Sequence, residues 1–165
     1  MNCIGKTALV LICMVFFAGF SLQNKPCGNS PELNQKIIAF VKANMGKTLG
    51  KGECWDVANA ALNAIGAKWD KKFGFGKMVD YKSECVYPGD IIQLKDALMH
   101  DEPRKGLHVY DEYPQHTAII MQVYSKQVYQ VADQNFGLNK RFLNTHNLNL
   151  FKLEKGSVQV YRPVK

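Results

Sequence analysis

The stretch GKGECWDVANAALNAIGA (residues 50–67) decides how this chain is read. Trp55, Ala58, Leu62 and Ile65, joined by Ala61, recur at helical spacing and Gly66 stops the pattern, so a helix is expected from about Cys54. Alanines at 58, 60, 61 and 64 keep that helix slim enough to pack close to a sheet. Gly50 and Gly52 let the chain turn sharply just before it. Cys54 therefore falls at the helix start, where the first amides lack partners and the macrodipole places partial positive charge. A thiolate is stabilised there and becomes a usable nucleophile near neutral pH, with its own amide facing a developing oxyanion. A structural cysteine in the core is the alternative, and the helix alone does not choose between them.

Upstream, NSPELNQKIIAFVKANMGK (residues 29–47) reads as a first helix. Ser30 can accept the free amides of its first turn, Pro31 suits the first helical position and Gly46 closes it. Leu33, Ile37, Val41 and Met45, with Ile38 beside them, form its apolar face. Before it, one lysine precedes the apolar run Thr7–Phe20, which is short of the roughly 20 residues that span a bilayer. That layout is expected of a secretory signal cleaved at residues 21–23, leaving 22–165 as one exported domain with no stable membrane insertion.

Export changes how the cysteines read. The mature chain keeps Cys27, Cys54 and Cys85, and an odd count in an oxidising compartment suggests one pair and one free thiol. If Cys54 is free, Cys27 and Cys85 pair and tie the N-terminal arm to the segment before YPGD. Three unpaired buried thiols are the alternative. The net charge of +7, from 21 basic and 14 acidic residues, favours an anionic partner. Its basic residues are scattered, with short pairs such as Lys71-Lys72 and Lys140-Arg141 and without a nucleic-acid-binding signature, so no specific nucleic-acid binding is expected.

Downstream the pattern changes. Residues 70–84 (DKKFGFGKMVDYKSE) are rich in glycine and charge and read as loop. Asp90 to Leu94 reads as a strand launched from a Pro-Gly turn. Lys95 to Gln115 is polar, broken by Pro103, Gly106 and Pro114, and reads as a long loop with a helical turn at KDALM (residues 95–99). Thr117–Val123 and Gln127–Ala132 are β-rich and separated by YSK, which predicts a hairpin; further strands are expected around 150–153 and 158–161. Helices followed by antiparallel strands make the fold class α+β.

A thiol nucleophile needs a base. His100 and His108 sit in the polar stretch and His146 in an asparagine-rich loop, so all three read as surface residues. His116 opens an apolar strand behind Pro114 and is the candidate base. Asp133 and Asn135, two apart, are expected on one side of the next strand, and Asp133 can neighbour His116 across the hairpin. Its carboxylate would accept the Nδ1 proton and hold the ring, while Asn135 supports the ring or contacts substrate. Plain turn residues before Phe136-Gly137 are the alternative.

The motifs GECWDVANAAL, YPGDIIQL, HTAIIMQV and YQVADQN resemble, in this order, those of the CHAP family (cysteine, histidine-dependent amidohydrolase/peptidase) of the papain-like superfamily, over about Gly50 to Gly137. His116 follows Cys54 by 62 residues (116 − 54), Asp133 follows His116 by 17 (133 − 116), and Asn135 by 19 (135 − 116). The resemblance implies a cysteine-bearing helix packed on an antiparallel sheet bearing the histidine. It implies Cys54 as nucleophile, His116 as general base and then acid, Asp133 as the orienting residue and Asn135 assisting. The implied reaction is amide hydrolysis through an acyl-thioester, typically in peptidoglycan peptides.

The chain departs from that family in three ways. Aspartate replaces the commoner glutamate, so Asn135 competes for the third position. The stretch Lys95–Gln115 is long and would serve as a lid or specificity loop. Lys47-Thr48-Leu49 stands upstream of Cys54 where papain-like enzymes place a glutamine, leaving the second oxyanion donor unassigned. No Asp-x-Asp-x-Asp-Gly run supports the calcium site of some relatives, and neither metal nor cofactor is expected. Two other readings stay open: a catalytically silent binding module, with Trp55, Trp69, Phe73, Phe75 and Tyr81 lining a groove, and a basic nuclease using two histidines such as His100 and His146.

Overall fold

A computed structural model describes residues 27–137 and 141–165; the expected signal segment lies outside them. Two helices, α1 (Glu32–Asn44) and α2 (Cys54–Ala64), precede six strands and one short 3-10 turn, Leu150–Lys152. The strands are β1 (Lys77–Val79), β2 (Ile91–Arg104), β3 (Leu107–Ser125), β4 (Val128–Asp133), β5 (Asn144–Asn149) and β6 (Leu153–Arg162). They form one antiparallel sheet in the order β1-β6-β2-β3-β4-β5. The α+β expectation therefore holds.

Successive strand side chains point to opposite faces, and here both faces are buried. Ile91, Ile119, Ala132 and Tyr161 pack against Ile37 and Val41 of α1 and Val57, Ala58, Ala61 and Leu62 of α2. Ile92, Leu94, Ala118, Ile120, Val131 and Val160 form a second core on the other face, with Tyr129 and Leu148. Ala58 and Ala61 have no exposure, as a helix lying close on a sheet requires. The α1 face is shifted from the expected one: Asn34, Ile37 and Val41 are buried, whereas Met45 is exposed. Ser30 does not cap α1, because its hydroxyl donates to the Pro88 carbonyl, 3.1 Å away.

Helix α2 starts in a reciprocal cap: the Glu53 side chain accepts the Asp56 amide, and the Asp56 carboxylate accepts the Glu53 amide at 3.1 Å. Asp56 also accepts the Lys51 amide at 2.7 Å. Gly50 sits at φ 56°, and a Cβ there would lie 2.5 Å from the Asp56 carboxyl carbon. Only glycine lets the loop close on that carboxylate.

Four expected boundaries change. Lys95–Gln115 is not a loop and KDALM is not helical: β2 and β3 pair from Ile91↔Ile119 to Arg104↔Leu107 around a turn containing Gly106 at φ 80°. Ala97, Met99 and Tyr113 point inward and are buried, which pays for ordering an otherwise polar arm. Across from Pro114, Asp96 sits at φ 49° between the paired Lys95 and Ala97, in a bulge where β2 shifts register against β6. The segment 70–84 contains β1, an edge strand on β6. The asparagine-rich segment is β5, laid along β4 from Val128↔Asn149 to Asp133↔Asn144. Of the expected strand at 150–153, only Leu153 begins β6; the rest is the 3-10 turn. The β3–β4 hairpin forms as expected, with Gln127 at φ 65° in its turn.

Cys27 and Cys85 are joined in a disulfide, and Cys54 is free. The same corner holds a buried carboxylate. Asp90 has no exposure and accepts from Asn34 Nδ2 (2.7 Å), the Tyr87 amide (2.9 Å) and Arg162 Nε and Nη2 (3.1 and 2.8 Å). It thus joins α1, the start of β2 and the end of β6. Removing one partner of a buried pair strands the other's charge. Asp90→Ala is expected to cost about 3–5 kcal/mol, read from urea unfolding.

Candidate active site

Strand β3 runs past the end of β4. Their ladder begins at Ile119↔Ala132, so the Gln115 carbonyl and Thr117 amide lack a β4 partner. The first residue of α2 arrives at this open edge. Cys54 Sγ donates to the Gln115 carbonyl at 3.9 Å, and the Thr117 and Trp55 amides also face the sulfur. Gln134, 1% exposed, anchors the approach to it: Nε2 donates to the carbonyls of Leu49 (3.1 Å) and Glu53 (3.2 Å), and Oε1 accepts the Leu49 amide (2.7 Å). Sequence reasoning missed Gln134. No local signal marks it, because its partners lie more than 80 residues upstream.

His116 lies inside β3 and not at its mouth, because β3 begins at Leu107. Its Nε2 lies 2.9 Å from Asp133 Oδ2, so the ring is turned opposite to expectation and Nδ1 is left for the sulfur. Asp133 is the last residue of β4. Asn135 lies beyond the strand at φ 61° and donates to Glu53 Oε2 at 2.7 Å, so it does not share a face with Asp133 or touch the ring.

His146 is the second omission. It is partly buried: opposite Val131 on β5, it sets Nε2 2.8 Å from the same Asp133 oxygen. Phe136 stacks on His146 with centroids 4.2 Å apart and on Tyr113 at 5.1 Å. His116, Asp133 and His146 each offer a ligand atom within 4.8 Å of the others, and they are the group among the described residues able to hold a metal. His100 is elsewhere, on the β2–β3 arm, paired with Glu154 (2.7 Å) and His108 (2.8 Å). The two histidines of the nuclease reading are therefore not brought together. Nor do the five aromatic residues form one groove: Trp55, Trp69 and Phe75 pack on the helix face, Tyr81 belongs to the opposite core and Phe73 is exposed.

Burial pushes the Cys54 thiol up. His116, by hydrogen bond and charge, reverses this with help from the Thr117 and Trp55 amides, and the thiol ends below its ordinary value. Burial alone would lower His116, but Asp133 and Cys54 raise it to about 9. Asp133, opposed by its own burial, is held below the usual carboxylate range by His116 and His146. These directions favour a thiolate beside an imidazolium.

Comparison with known proteins agrees with the fold. Two crystal structures of Ly7917, one with "the hydrolyzing product of MDP", align with TM-scores of 0.47 and 0.49 at 15% and 16% identity, covering 78% and 79% of this chain and 62% of theirs. At that level they carry no argument. "Altered inheritance of mitochondria protein 3" of Debaryomyces hansenii is 25% identical over 154 residues, which is 82% of this chain but only 16% of that protein. The chain thus spans a small part of the length of the curated relative it matches. The family model described as the AIM3/BBC1 cysteine proteinase-fold domain matches residues 30–165. The helix-and-antiparallel-sheet architecture is compatible with that description, which bears out the papain-like fold without selecting CHAP within it. Across residues 30–165, from α1 to the C-terminus, this chain belongs to the AIM3/BBC1 cysteine proteinase-fold domain family.

Proposed function

We propose that the domain hydrolyses amide bonds by thiol chemistry, with Cys54 as nucleophile, His116 as base and then acid, and Asp133 positioning the ring. The observation that carries this is the run Cys54–His116–Asp133, assembled from α2, β3 and β4 around the free cysteine of the chain's described residues. Nδ1 of His116 takes the thiol proton and the sulfur attacks the carbonyl carbon. The C–N bond then breaks, and the amine leaves with the proton from Nδ1. Water, deprotonated by the same nitrogen, hydrolyses the thioester. The unpaired Cys54 amide at the first position of α2 faces the oxyanion. Gln134 does not serve as the second donor, because its amide is committed to the loop before Cys54.

Substrate and compartment belong to the same proposal. The net charge of +7 suits an anionic peptide. The disulfide suits export. The narrower form, a CHAP-type amidase or endopeptidase on peptidoglycan peptides, rests on the motif resemblance alone. A silent binding module on the same fold is the competing reading. It draws on the hydrogen bond that the thiol donates to the Gln115 carbonyl, which competes with the ring for the same proton.

Alkylation separates the two. Iodoacetamide is expected to label Cys54 rapidly well below the ordinary thiol pKa of about 8.5, and His116→Ala to restore ordinary thiol behaviour. Equal labelling rates in both proteins at every pH would leave only the silent module. The active ion pair requires the thiol ionised and His116 protonated. Turnover should therefore rise below the ordinary thiol range and fall as pH passes about 9, where His116 loses its proton. On a library of peptide amides, Cys54→Ala should lower kcat by at least roughly 10³-fold. Purified peptidoglycan assayed beside the library tests the narrower substrate, which is dropped if only the library is cleaved.

A further inference from the structure

We propose that His116, Asp133 and His146 form a binding site for one divalent transition-metal ion of the zinc class. Two imidazole nitrogens and a carboxylate oxygen, each from a different strand, are brought within 4.8 Å of one another. Both Nε2 atoms converge on one oxygen, Asp133 Oδ2, at 2.9 and 2.8 Å. Donors bound to a common zinc ion at about 2.0–2.2 Å stand roughly 3–3.5 Å apart. Each nitrogen–oxygen pair thus needs to open by only about half an ångström while the two nitrogens, within 4.8 Å of each other, draw together, and three protein ligands leave a fourth position for water.

The surroundings of His146 favour a cation independently of that spacing. Its Nδ1 faces the Asn147 carbonyl at 3.3 Å, and its Nε2 faces a carboxylate oxygen. With acceptors at both nitrogens, a neutral ring would turn one lone pair onto an acceptor. A cation held between Nε2 and Asp133 would relieve that contact. A ligating histidine whose other N–H is held by a backbone carbonyl is the usual arrangement around a protein-bound metal. Phe136, stacked on His146, holds the ring in place, and Asp133 and His116 are 3% and 6% exposed, so the donors are oriented before an ion arrives. A cavity of about 160 Å³ is lined by Asp133, Phe142, Thr145 and His146, and neither Cys54 nor His116 lines it.

As the ion takes each Nε2 lone pair, any proton on that nitrogen is released to solvent. If the proposed hydrolase chemistry holds, there is a consequence that rests on it. A His116 ring ligated through Nε2 keeps its remaining proton on Nδ1, toward Cys54, and cannot accept the thiol proton. The loaded site would be an off state.

The test does not depend on hydrolysis. Zinc chloride is titrated by calorimetry into the folded chain as wild type, Cys54→Ala and His146→Phe. His146→Phe keeps a ring on Phe136 and removes the nitrogens; His146→Gln replaces it if that variant does not fold. One ion per chain is expected in wild type and Cys54→Ala. The His146 variant should bind more weakly by more than the roughly 10–100-fold that loss of an outer-shell partner costs. Cobalt(II) loaded into wild type should show visible bands without a thiolate charge-transfer band. Undiminished binding in the His146 variant, loss of binding in Cys54→Ala, a strong sulfur-to-cobalt band, or no saturable binding in wild type would each overturn the site.

Discussion

A carboxylate that is 3% exposed stays ionised only if donors replace the water it has lost, and the architecture around Asp133 is organised by that requirement. Its donors come from two neighbouring strands, His116 on β3 and His146 on β5, so the last residue of β4 is tied on both sides. The next two residues turn away from the sheet and hold the other half of the site. Gln134 binds the loop before α2, and Asn135 binds the cap residue Glu53. Residues 133–135 are thus the seam between the sheet, which carries the imidazole, and the helix, which carries the sulfur.

The described residues include two such buried carboxylates, and the fold satisfies them differently. Asp90 is held by a guanidinium, a side-chain amide and a backbone amide, none of which changes charge near neutral pH. That corner, next to the disulfide, only has to persist. Asp133 is held by two imidazoles, rings that can donate a proton or lend a lone pair. A buried acid with exchangeable partners is suited to moving protons or to accepting a cation in their place.

Around Cys54, burial and the histidine act in opposite directions. Burial is the larger single influence, yet His116 and two backbone amides together outweigh it. The Thr117 amide is available because β3 outlasts β4 at this edge, and the Trp55 amide because it lies in the first turn of α2. The length of one strand relative to its neighbour therefore adds to what His116 does for the thiol, through a vacancy in a ladder.

The helix α2 and the β3–β4 hairpin were legible in the amino-acid sequence because their signals are local: apolar spacing of three to four residues in one, β-rich runs around a short turn in the other. Cys54 at a helix start, and Asp133 within reach of His116, followed from the same short-range rules. The β2–β3 arm and β5 were not legible. Their exposed faces are polar, and what orders them is pairing with strands distant in the chain, as Val131↔His146 and the bulge at Asp96 illustrate. The sequence by itself determined which residue types could perform thiol chemistry and roughly where along the chain they fall. Tertiary structure alone decided which ring nitrogen meets Asp133, that His146 shares it and that Asn135 does not. Those outcomes depend on strand register and strand ends, and register is set by cores on both faces of the sheet, not by any run of neighbouring residues.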